Sequence, residues 1–187
     1  QEAGLLIAVV GCDGSGKSTL TADLIAEFGK THPLATVYLG LGSGTIGNRI
    51  KQWPLIGRAV EARLSRKAKQ TRTSGQKIPG LATALVAYGF SRLRLRRFRH
   101  MLALRAQGFS ILTDRYPQVE VPGFYDGPLL SAASAAGPLV GWLARRERRL
   151  YEWMAGHRPD LVIRLIADFE TAFARKGDHE PGLLRQK

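Results

Sequence analysis

Cysteine is nearly absent: Cys12 is the only one in 187 residues. No intramolecular disulfide can form, and no thiolate zinc cluster can be assembled. Nothing therefore argues for an oxidising compartment, and a cytoplasmic location is expected, with attachment at the periphery of a membrane as the alternative. Long apolar runs are lacking too. The longest uncharged stretch, Gly127 to Ala144, is broken by Gly137-Pro138 and diluted by Ser131 and Ser134, so a buried helix is expected there rather than a membrane span. The first apolar run is short and ends in glycine, so no signal peptide is expected; the chain opens on Gln1 rather than Met, and residues are expected to precede it. No internal repeat is visible. Acidic residues are outnumbered, 15 Asp and Glu against 28 Lys and Arg, and the resulting charge of +13 favours anionic partners such as nucleotides, nucleic acid or an acidic membrane surface. The remaining composition, 44% hydrophobic and 23% charged, fits one α/β domain with a real core spanning residues 1–187.

What is present is concentrated near the N-terminus. Leu5 to Val10 is an apolar run bounded by glycines, as in a central parallel strand covered on both faces. It is followed by Gly11-Cys12-Asp13-Gly14-Ser15-Gly16-Lys17-Ser18-Thr19 and then by a helical pattern to Lys30 with Leu20, Leu24 and Phe28 on one face, expected to pack on the sheet. Two glycines five positions apart, then Lys and a hydroxyl residue, between strand and helix, make a P-loop, or Walker A motif. Gly11, Gly14 and Gly16 let the backbone curl so that successive N–H groups meet phosphate oxygens, and the helix adds the positive end of its dipole. Lys17 is then placed for the β- and γ-phosphates and the Ser18 hydroxyl for Mg²⁺, with Ser15 and Thr19 completing the cradle. A Gly-rich turn that binds no nucleotide is the bland alternative. Cys12 reads as a small side chain filling space beneath the loop.

Farther along, Ala35 to Gly40 predicts a second strand and Gly40 to Thr45 a flexible loop. A basic helix is expected from Pro54 to Lys69, a polar loop from Thr71 to Pro79, and a long helix from Leu81 to Gln107. The long helix carries Arg92, Arg94, Arg96, Arg97 and Arg99, five arginines within eight positions that cannot share one face. Some must be solvated while others are available to a site. Phe109 to Thr113 predicts a strand delivering Asp114 and Arg115 at its C-terminal end, the edge where open α/β sheets bind ligands. An acidic residue there can hold Mg²⁺ opposite a P-loop, although a structural salt bridge would be its default role. The Pro-, Gly- and aromatic-rich loop Tyr116 to Pro128 leaves the same edge and is expected to shape a second substrate's pocket. Helices are expected at Leu129–Ala136 and Leu139–Ala155, the latter with Arg145, Arg146, Arg148 and Arg149 on a solvated face. A fourth strand, Asp160 to Ile166, and a short helix, Phe169 to Lys176, complete the pattern.

In motif order the chain resembles the thymidylate kinase-like branch of the P-loop nucleotide kinases. The resemblance rests on the P-loop with Asp13 at its third position, on Gly44-Thr45-Ile46-Gly47-Asn48-Arg49-Ile50, on Asp114-Arg115-Tyr116 and on Pro159-Asp160-Leu161-Val162. It implies a three-layer α/β P-loop NTPase, a parallel sheet flanked by helices, that moves the γ-phosphoryl group of ATP to an anionic small-molecule acceptor with Mg²⁺. It further implies that Arg92 and Arg115 hold the acceptor's anionic group, that Asp13 orients or deprotonates its hydroxyl, and that Arg175, with Lys176 and Arg185, belongs to a lid over residues 175–187. A homodimer is compatible with it. The family's Arg-Glu-Pro is replaced by Leu41-Gly42-Ser43, and Pro117-Gln118-Val119-Glu120 stands where the family has Ser and Tyr-Gln. A nucleoside, a sugar or a lipid-linked saccharide is therefore an alternative acceptor, and a nucleotide-binding module that docks on polyanions or membranes without catalysis is an alternative function. The family's fifth strand and closing helix find no match before Lys187, so the natural chain is expected to run on.

Overall fold

A computed structural model describes residues 3–11, 15–40, 80–123, 126–132 and 137–166. The expected basic helix at 54–69, the loop at 71–79 and the short helix at 169–176 lie outside them, as do Cys12, Asp13, Gly14, Arg175, Lys176 and Arg185. The elements are β1 (Leu6–Gly11), α1 (Lys17–Phe28), β2 (Leu34–Tyr38), α2 (Leu81–Ala106), β3 (Ser110–Asp114), a 3₁₀ turn (Leu130–Ala132), α3 (Pro138–Gly156) and β4 (Leu161–Leu165). They fall into two compact units: one made of residues 1–39, 97–116 and 158–187, the other of residues 40–96 and 117–157.

The first unit holds the sheet. Its four described strands are parallel, in the order β2-β3-β1-β4. β1 lies between two neighbours, and Leu6, Ala8 and Val9 are fully buried, as its unbroken apolar pattern requires. Ile111 and Leu112 of β3 and Phe98 and Met101 of α2 share this core. Phe98 meets Tyr116 edge to face at 5.7 Å between ring centres. Asp160 closes the opposite end of the sheet. Its Oδ2 accepts the Leu6 N–H at 2.7 Å and pairs with Arg105 Nη2 at 2.9 Å, while Arg105 Nε donates to the Gly4 carbonyl at 2.8 Å. One carboxylate thus joins the starts of β1 and β4 to the last turn of α2.

The expected packing of α1 is corrected in part. Burial falls along the helix from Lys17, which is buried, through half-buried Leu20 and Leu24 to Phe28, which is 54% exposed. The helix is held at its N-terminal end, where Lys17 reaches back to the strand, and its last turn is left uncovered.

The second unit is helical. Ala84 of α2, Leu130, and Val140 and Leu143 of α3 form its apolar cluster, with Ala87, Tyr88 and Ala144 at the margin. Two expectations are corrected here. Leu129–Ala136 is not a helix over its described part: it holds only the 3₁₀ turn, because the amides of Leu129 and Leu130 turn to the Glu147 carboxylate instead of preceding carbonyls. The uncharged stretch Gly127–Ala144 is likewise not one buried helix. Among its described residues the α-helix begins at Pro138, which supplies the first helical position, and Leu139 and Trp142 are 53% and 45% exposed. Arg145, Arg146, Arg148 and Arg149 are all exposed, as expected.

Candidate active site

The P-loop leaves the sheet where β1 ends. A side chain at Gly11 would put its Cβ 2.7 Å from both the Leu165 carbonyl oxygen of β4 and Ser15 Oγ, so the close approach of loop and strand demands glycine. Gly16 caps α1 in a left-handed conformation, φ 90° and ψ 12°, which costs glycine little and other residues about 1–2 kcal/mol. No side chain caps the helix, whose N-terminal amides and dipole form a seat for an anion. Lys17 is only 8% exposed, and its Nζ donates to the Gly11 carbonyl at 2.9 Å, bringing the ammonium back across the loop. Ser15 Oγ is buried without a hydrogen-bond partner, a cost that a ligand oxygen at the loop would relieve. An open pocket of about 390 Å³ lies beside it, lined by Ser15, Gly16, Thr19, Leu20, Asp23 and Leu165.

The same edge of the sheet carries the acidic residue. Asp114 ends β3 in register with Val9 of β1 on one side and Tyr38 of β2 on the other, and its carbonyl accepts the Leu39 N–H at 3.2 Å. Arg115 follows with φ 63°, an unfavourable backbone for a long side chain, of a kind that collects at ligand sites. Tyr116 then turns inward, and its burial raises the hydroxyl pKa well above the usual tyrosine value; the Arg105 charge opposes the shift and Asp160 adds to it. The parallel sheet thus brings Gly11, Ser15, Gly16, Lys17, Ser18, Thr19, Asp114 and Arg115 to its C-terminal edge. Arg92 belongs to the helical unit, where it is exposed on α2.

A buried polar cluster in the helical unit has no counterpart among the residues expected from the sequence. The Arg94 side chain is fully buried; its Nη2 pairs with Asp126 Oδ1 at 2.7 Å, and its Nη1 donates to the Asp126 carbonyl at 2.8 Å and to Tyr151 Oη at 3.1 Å. Glu147, also fully buried, lies 2.6 Å from Ser91 Oγ and takes the Leu130 N–H at 2.6 Å. Burial raises the Glu147 pKa above its ordinary 4.5, against the pull of its hydrogen bonds and of the Arg94 charge. The signal was in the helical phase. Ala84, Ser91, Arg94, Phe98 and Met101 recur at spacings of three, four or seven, and all are buried. Glu147 falls in the same way into the apolar phase of Val140, Leu143, Tyr151 and Met154.

Among the described residues, no three His, Cys, Asp or Glu side chains are grouped to hold a metal ion by themselves, and no helix is long and apolar enough to cross a membrane. The parallel sheet with flanking helices, and the Walker A sequence that follows β1, define an α/β fold of the P-loop NTPase type. No family model matches the chain. It is 49% identical over 183 residues to YghS of Escherichia coli K12, covering 97% of this chain and 77% of that protein, and 46% identical to YghR of the same strain, covering 97% and 73%. Both are described as uncharacterized ATP-binding proteins. The chain belongs to this YghS/YghR family. Among solved structures it is similar to deoxyadenosine kinase from M. mycoides with bound dATP, at 15% identity and a TM-score of 0.46, over 96% of this chain and 75% of that one.

Proposed function

We propose that this protein is an ATP-dependent phosphotransferase of the thymidylate kinase-like type, with an anionic small molecule as acceptor. The observation that carries the reading is Lys17: a nearly buried ammonium at the uncapped start of α1, held 2.9 Å from the carbonyl of the glycine where β1 becomes the loop. A lysine drawn into that position has its charge matched by phosphate oxygens once a nucleotide enters. The names of YghS and YghR, both described as ATP-binding, support the choice of nucleotide.

The residues fit a magnesium nucleotide. Ser15 Oγ supplies a buried, unmatched polar atom at the loop, and a hydroxyl at Ser18 with a carboxylate at Asp114 is the hard oxygen pair that Mg²⁺ favours. When bound, the ion would neutralise charge on the phosphates. The chain's own residues position and compensate: Lys17 and the loop amides grip the donor, and Arg115 offers a cation at the same edge. Roles for Arg92, Asp13 and Arg175 rest on the family resemblance.

The test is ADP release from ATP across a panel of nucleoside monophosphates, nucleosides, sugars and lipid-linked saccharides. The reading predicts stimulation by at least one anionic acceptor. Tight ATP binding with no stimulation by any acceptor would instead make the chain a nucleotide-binding module.

A further inference from the structure

One face of α3 combines exposed aromatic and cationic side chains in a single stripe. Leu139, Trp142, Arg146, Arg149 and Trp153 follow each other at intervals of three, four, three and four residues, which aligns them along one side of a helix. Leu139, Trp142 and Trp153 are 53%, 45% and 41% exposed, large values for apolar residues, and Arg145, Arg146 and Arg149 beside them are exposed as well. The other side of the helix is committed inward through Val140, Leu143, Glu147, Tyr151 and Met154, so the stripe cannot be turned away from solvent. The Arg146 guanidinium lies over the Trp142 ring at 4.8 Å, so cation and ring form one amphipathic unit. Arg148, by contrast, is neutralised within the helix by Glu152 at 2.9 Å, while no ion pair engages Arg145, Arg146 or Arg149 among the described residues.

We propose that this stripe is a docking surface for an anionic lipid bilayer. A second copy of the chain would bring like charges together on a protein that already carries +13, so self-association is disfavoured at this face. Nucleic acid would satisfy the arginines but offers nothing to Leu139. A bilayer interface takes both kinds of group: headgroup phosphates pair with the arginines, and tryptophan rings lodge at the headgroup level. The stripe is about 21 Å long at the rise of an α-helix, so it can lie flat in the interface with an aromatic residue near each end. This surface is independent of the P-loop, which lies in the other unit.

The test uses the full chain with vesicles of phosphatidylcholine containing 30% phosphatidylglycerol, compared with pure phosphatidylcholine. Cosedimentation is expected with the anionic vesicles only, and is expected to weaken as salt rises. In a Trp53→Phe background, tryptophan emission should shift to the blue on binding. Arg146→Gln with Arg149→Gln should weaken binding roughly 25-fold, about fivefold per arginine, while Arg146→Lys with Arg149→Lys should stay within about threefold of the parent. Trp142→Ala with Trp153→Ala should weaken binding about tenfold in the cosedimentation assay. Lys17→Ala should bind vesicles like the parent, which separates this surface from nucleotide binding. The proposal is overturned if anionic vesicles are not bound, or if the glutamine pair binds them like the parent. It is equally overturned if these substitutions abolish binding to a single-stranded oligonucleotide, or dimerisation, while vesicle binding is unchanged.

Discussion

Arg94 holds Asp126 at two points, by side chain at 2.7 Å and by backbone carbonyl at 2.8 Å, joining the middle of α2 to the loop that follows Tyr116. Asp126 adopts φ 65°, and its carboxylate is 20% exposed while the arginine is fully buried. Removing the acid would take the carboxylate away from Nη2 of a buried guanidinium. Asp126→Ala is therefore expected to destabilise the protein by about 3 kcal/mol. Asp126→Asn, which tolerates the left-handed backbone and keeps an acceptor oxygen, should cost about 1–2 kcal/mol. Urea unfolding of both variants checks the order; equal and negligible losses would contradict the assignment.

Glu147 makes stability depend on pH in an unusual direction. Burial raises its folded-state pKa above the unfolded value, so the folded protein binds the proton more tightly. Its contribution is fully present below the unfolded pKa and is lost as pH rises through the folded pKa. Protonated Glu147 can donate to Ser91 Oγ at 2.6 Å while Ser91 donates to the Ala87 carbonyl at 3.2 Å, and a glutamine amide reproduces that arrangement. Glu147→Gln is expected to gain stability relative to the parent as pH rises above the ordinary glutamate value of 4.5. Denaturant midpoints across that range decide it; a difference constant with pH would be contrary.

Asp160 is expected to act through the backbone. Asp160→Ala removes the acceptor for the Leu6 N–H at 2.7 Å and the partner of Arg105, and should cost about 2 kcal/mol. Hydrogen exchange at the Leu6 amide should accelerate more than at Ala8, in the middle of β1. A uniform change along the strand would show that the carboxylate does not hold this end.

The P-loop and the strands were legible because each is written in adjacent residues. A run such as Leu5 to Val10 ending in glycine carries its own burial pattern, and β1, α2, β3 and β4 lie within a residue or two of where the sequence places them. The Arg94–Asp126 pair was not legible, because five neighbouring arginines look alike until the helix is phased against Phe98 and Met101. Leu129–Ala136 read as helix for a related reason: the acceptor that captures its amides is Glu147, 17 residues beyond Leu130, hidden among arginines that are solvated. The exposed end of α1 at Phe28 shows the same limit, since periodicity tells which face is apolar and not how far the covering extends.

Phosphotransfer at the P-loop is tested by ADP release from ATP and an acceptor, compared between the parent and Lys17→Ala. The variant loses the ammonium that spans 2.9 Å to the Gly11 carbonyl and that would compensate the transferring phosphoryl group. Turnover should fall by about 10³-fold or more, with the thermal midpoint changed by only a few degrees. Undiminished ADP release by Lys17→Ala would show that the P-loop is not the site of phosphotransfer.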